Sequence, residues 1–150
     1  MVVAWVGIFS LAGCGGSTGS PLDRFTAGEQ ARTDSYCGRC WMAGGWMGEE
    51  ECRGNVVGHG SQAFYGDLSP SELACIDARY VPSGELDAAL VCLADAMAAF
   101  VACNATCVNS PTDTVADACY DAFVLREDAC VASSAVAAQI ETLRDCAAPL

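Results

Sequence analysis

The chain contains no lysine: its seven basic residues are all arginine, set against nineteen acidic ones, for a formal net charge of −12 over 150 residues. Lysine Schiff-base chemistry is therefore excluded. So strong an acidic excess repels phosphate backbones and anionic lipid head groups alike, which argues against a nucleic-acid partner. Histidine is nearly missing too. His59 is the single one, and although Ser61 lies two residues on, no nucleophile elbow or triad context surrounds it. Aromatic residues make up only 8% of the chain. Much of the 53% apolar share is alanine, which buries little area per residue. A core made this way is thin and calls for covalent staples.

What the chain has in excess is cysteine, eleven in all. Where that cysteine resides decides its chemistry, because an oxidising compartment makes disulfides and a reducing one favours metal or redox sites. The N-terminus supplies the address. Val2 to Leu11 is a short apolar run, broken by Gly7 and Ser10, that ends in Leu11-Ala12-Gly13-Cys14. It is far below the ~20 residues of a spanning helix and has the length of a signal-peptide core. Small residues at 12 and 13 let a peptidase reach the bond before Cys14. The segment departs from the usual leader in carrying no Lys or Arg ahead of the apolar run.

Leu11-Ala12-Gly13-Cys14 resembles the lipobox of bacterial lipoproteins at every position. The resemblance covers residues 1–14. It implies cleavage before Cys14 and acylation of Cys14, with the lipid bilayer as the partner of those acyl chains. Gly15, rather than Asp, follows the cysteine, which resembles the outer-membrane sorting pattern of a Gram-negative host. Gly15 to Pro21 then reads as a flexible tether. The expected division is a signal peptide over 1–13, the lipidated cysteine and tether over 14–36, and a disulfide-rich helical domain over 37–150.

Setting Cys14 aside leaves ten cysteines, an even number, as a disulfide framework requires. Residues 22–36 are polar and mixed, and read as an extension of the tether. From Cys37 to Leu68 the chain is rich in Gly and aromatics without a sustained period, an irregular region pinned by Cys37, Cys40 and Cys52. Helical signals follow. Ser69-Pro70-Ser71-Glu72 presents a cap, a proline at the first helical position and a capping-box carboxylate. Val81-Pro82 ends that helix and Ser83 caps the next, whose Leu86, Leu90, Leu93, Met97 and Phe100 recur every three or four residues. Ser110-Pro111-Thr112-Asp113 repeats the cap logic for a third helix, with Val115, Cys119, Phe123 and Cys130 on one face. A last segment near 135–146 carries Val136, Ile140 and Leu143. The expected fold is all-α: a small disulfide-stapled bundle of three or four helices.

Cys92 and Cys103 are eleven apart, as are Cys119 and Cys130, about three helical turns in each case. Folding the chain back near Pro111 sets the two rows face to face and implies the bridges Cys92–Cys130 and Cys103–Cys119. A fourth helix folding back would bring Cys146 toward Cys107. Cys37, Cys40, Cys52 and Cys75 remain to close the N-terminal loops in one of three pairings.

Candidate chemistry is sparse. Cys37-Gly38-Arg39-Cys40 resembles the C-x-x-C of thioredoxin-like oxidoreductases, but no βαβ pattern surrounds it. Cys37, Cys40, Cys52 and His59 have zinc-ligand types, though three cysteines spent on zinc would leave an odd seven to pair. Trp41 stands where haem attachment needs histidine. Nearly all the abundant acids read as solvated helix faces, which leaves paired catalytic carboxylates open as the weaker reading, and Glu49-Glu50-Glu51 reads as exposed rather than as a cation loop. Trp41 and Trp46, in two Trp-Met pairs around glycines, are a candidate binding patch, with the roof of a thin core as the plainer reading. The expectation is a membrane-anchored, extracytoplasmic lipoprotein without cofactor, metal or catalytic residues: a structural or protein-interaction module with an unidentified protein partner. A redox or zinc protein using Cys37 and Cys40 is the alternative, and a small hydrolase a weaker one. In organisation the chain resembles cysteine-rich lipoproteins of GC-rich Gram-negative bacteria.

Overall fold

A computed structural model describes residues 19–55, 68–131 and 133–147. The lipobox, Cys14 and His59 lie outside them. Among the described residues the fold is all-α, with α1 (Pro21–Arg39), α2 (Glu49–Asn55), α3 (Pro70–Arg79), α4 (Gly84–Asn104), α5 (Val115–Cys130) and α6 (Ser134–Arg144), the last followed by a 3-10 turn at Asp145–Ala147.

α4 is the axis of the fold. Its stripe of Leu86, Leu90, Leu93, Met97 and Phe100 is buried as the spacing predicts. By length and composition α4 is apolar enough to cross a membrane. Here that apolarity is spent on packing, because α1, α5 and α6 all lean on it. The α4–α5 pair is an antiparallel hairpin fastened by Cys92–Cys130 and Cys103–Cys119, with Cα separations of 5.5 and 5.7 Å. Phe100 and Phe123 meet between the two helices, ring centroids 5.5 Å apart.

α1 is the largest departure from the sequence reading. Residues 22–36, expected to extend the tether, belong to a 19-residue helix. Ser20 caps it through a capping box with Asp23, and Pro21 sits at its first position. It runs parallel to α4. Arg24 meets Asp95 at 2.7 Å, and a Cβ on Gly28 would stand 3.0 Å from Met97 Cε. Asn104 Nδ2 donates to Ser35 Oγ, 3.3 Å away. Cys40 and Cys107, just beyond the two helix ends, are bonded to each other. The segment reads as polar because its inward stripe of Leu22, Phe25, Glu29 and Arg32 keeps helical spacing but changes from apolar to charged halfway along.

Further boundaries follow from local hydrogen bonding. Ser69 and Ser83 cap α3 and α4 as the sequence indicates. Ser133 separates α6 from α5 by accepting from Val136 N–H. The 110–113 motif does not cap α5. Asp113 turns its carboxylate to the N–H groups of Val108 and Val115, 2.6 and 2.9 Å away, so the helix starts at Val115 without a side-chain cap. The region from Cys37 to Asn55, expected as irregular loop, holds the last turn of α1, a run of turns over 41–45 and the short α2.

The remaining bridges correct the expected pairings. Cys146 joins Cys75, tying the 3-10 turn to α3, and Cys107 joins Cys40 rather than Cys146. Of the four N-terminal cysteines, only Cys37 and Cys52 pair with each other. The cause lies in α1. Once 21–39 is a helix parallel to α4, Cys40 arrives beside the end of α4 instead of among the N-terminal loops.

Candidate functional site

The described residues place the tryptophan loop at the end of the α1–α4 pair where the Cys40–Cys107 bridge lies. Cys37 and Cys52 form a small buried cluster of their own, and Tyr36, Trp41 and Trp46 pack around it, each half-buried. The two indoles thus pack on a disulfide. Gly44 allows this closeness: a Cβ there would collide with Tyr36 Oη and Trp46 Nε1. Gly45 turns the loop with φ of +79°. Trp46 N–H closes it on Trp41 O at 3.1 Å.

A second loop, 105–114, meets the first. Asn109 is left-handed, at φ 55°, and its Oδ1 accepts the Met42 N–H at 2.8 Å. Each loop then exposes one large apolar side chain: Met47 is 86% exposed and Val108 is 78% exposed. In both cases a carboxylate holds the backbone N–H of that residue at 2.6 Å, Glu51 for Met47 and Asp113 for Val108. The bonds from Val115 and Val108 hold the Asp113 carboxyl below its ordinary pKa. Burial pushes the Tyr36 phenol up, and the Asp117 charge adds to that. Val108 and Asn109 went unnoticed in the sequence. The signal that finds them is Cys107, because its bridge to Cys40 fixes where its neighbours go.

The thiol-redox and zinc readings do not fit this geometry. Cys37 and Cys40 are both fully buried and bonded to different partners, Cys52 and Cys107, so they do not form a dithiol pair. Sulfur in a disulfide is not the thiolate that zinc requires. His59, the fourth proposed ligand, lies outside the described residues.

The acids do not all belong to solvated faces. Glu29 and Arg32 of α1, Glu127 of α5 and Arg144 of α6 form a buried ionic cluster. Glu29 Oε2 meets Arg32 at 2.8 Å and its Oε1 meets Arg144 at 3.1 Å, while Arg144 reaches Glu127 at 2.5 Å. Arg32 also stacks over the Phe123 ring, 4.8 Å from its centroid. Two carboxylates balance two guanidiniums, which is the condition for keeping such groups inside. A small apolar crevice, partly open to solvent, adjoins the cluster between Phe25, Ile76 and Leu143. The cluster joins three helices, α1, α5 and α6.

No protein-family model, curated protein or solved structure matches the chain.

Proposed function

We propose that the chain is an exported lipoprotein, anchored through an acylated Cys14, whose disulfide-bonded helical domain is a non-enzymatic structural or protein-interaction module. The observation that supports this most is the cysteine pairing. All ten cysteines from Cys37 to Cys146 are joined in five bridges, so Cys14, the lipobox cysteine, is the one left over. Five bridges in so short a chain suit an oxidising compartment, where the leader would deliver it. Acyl chains on Cys14 would hold the domain on a bilayer, the outer membrane or cell surface in a Gram-negative host. The arrangement at the tryptophan loop supports the interaction role, since two disulfides brace it and two apolar side chains stand in solvent.

Metabolic labelling with a clickable palmitate analogue tests the anchor. The chain should carry label in the membrane fraction, and Cys14→Ser should lose the label and leave that fraction. Label retained in the serine variant, or an unlabelled soluble wild type, would overturn the reading.

A further inference from the structure

We propose that the end of the molecule carrying Met47 and Val108 is a docking surface for a basic, partly apolar segment of a partner protein. Three observations carry this. First, the two exposed side chains stand on loops fixed before any partner arrives. The loops are braced by Cys37–Cys52 and Cys40–Cys107 and joined by the Met42–Asn109 hydrogen bond. Loops ordered in advance lose little conformational freedom on binding, which favours affinity. Second, the charge around them is negative. A carboxylate accepts the backbone N–H of each exposed residue, Glu51 that of Met47 and Asp113 that of Val108, and Glu49 and Glu50 border the same end on α2. Arg53 engages Glu49 and Asp34, and Arg39 closes α1. Five carboxylates against two guanidiniums leave this end acidic, so lysine or arginine beside an apolar residue is what complements it.

Third, the direction suits a protein partner rather than the bilayer. The tether from Cys14 joins the start of α1, whereas the docking end lies beyond the other end of that helix, about 28 Å away for its 19 residues. An acidic surface is also repelled by anionic head groups. The direction rests on the anchored reading proposed above; the surface and its charge do not.

The test uses the full chain as purified, in zwitterionic nanodiscs if it is membrane-bound and in plain buffer if it is not. Failure of the anchor therefore leaves the binding assay intact. The protein carries Trp5→Phe throughout, so its emission comes from Trp41 and Trp46, both at this end, whether or not a leader is removed. A short synthetic peptide of lysine and leucine should shift that emission saturably, and one of glutamate and leucine should not. The double variant Met47→Ser, Val108→Ser should weaken binding by about tenfold or more, as loss of anchoring contacts does. Leu125→Ser, at an exposed apolar position on α5, should leave binding unchanged. Circular dichroism confirms that both variants are folded. The proposal is overturned if no peptide binds, if the double variant binds as the wild type does, or if a lysine–serine peptide binds equally well. It is overturned in favour of a membrane if phosphatidylglycerol vesicles shift the emission through the same two residues.

Discussion

At the scale of single residues, the most consequential side chains are those that composition would place outside. Glu29 is 1% exposed and Arg32 is fully buried, yet they lie in the middle of a helix that reads as polar. Their cost is contained by reciprocity, because each carboxylate faces a guanidinium across 2.5–3.1 Å. Removing one member leaves its partners buried and uncompensated. Glu29→Ala should therefore destabilise the fold by about 3–5 kcal/mol, the range for breaking a buried pair. Asp95→Ala breaks a bridge of similar length, 2.7 Å, to Arg24, but Asp95 is 69% exposed, and its loss should cost about 1 kcal/mol or less. Urea melts of the two variants at neutral pH check the contrast, and equal midpoints would refute the structural role given to the cluster. Periodicity scales count only apolar residues, so the buried half of α1 was invisible to them. A stripe of Leu22, Phe25, Glu29 and Arg32 becomes legible once charged residues are allowed inside in balanced sets.

At the scale of elements, legibility followed the cap chemistry. α3 and α4 were readable because Ser69 and Ser83 bind the amides three residues on, a purely local interaction. The same residue types at 110–113 misled, because Asp113 serves two loop amides and spacing cannot say which N–H a carboxylate will choose. The hairpin bridges were readable for a geometric reason: two rows of cysteines three turns apart fit together in one antiparallel register. Cys40–Cys107 was not, since it depends on α1 lying parallel to α4, a tertiary fact. The two kinds of bridge also differ in loop length, sixteen residues for Cys103–Cys119 and sixty-seven for Cys40–Cys107. Taken singly, loop-closure entropy gives about 3 and about 4.4 kcal/mol. The pair Cys40→Ala, Cys107→Ala should thus lower the denaturation midpoint further than Cys103→Ala, Cys119→Ala. The reverse order would mean that α1 docks on α4 without help from its bridge.

At the scale of the whole molecule, the acidic balance that spoke against nucleic acid also shapes the proposed docking end, where a cation must accompany any apolar contact. The site itself was half legible. Trp41 and Trp46 stood out by type, but the exposed neighbours Met47 and Val108 come from segments sixty residues apart, brought to one end by Cys40–Cys107. That bridge belongs to a pattern with a consequence for biogenesis. Read in chain order, no cysteine from Cys37 to Cys146 is bonded to the next one along: every bridge skips at least one cysteine. If the chain is exported as proposed, it is threaded N-terminus first through a translocon and meets an oxidase one cysteine at a time, which favours joining neighbours. Most first-formed bonds are then wrong and must be exchanged through mixed disulfides. Maturation would thus depend on an isomerase as well as an oxidase. In a host lacking its disulfide isomerase, the chain should accumulate as mispaired forms, resolved on non-reducing gels and rescued by a redox buffer, whereas unchanged maturation would show that α1 and α4 assemble before their cysteines oxidise.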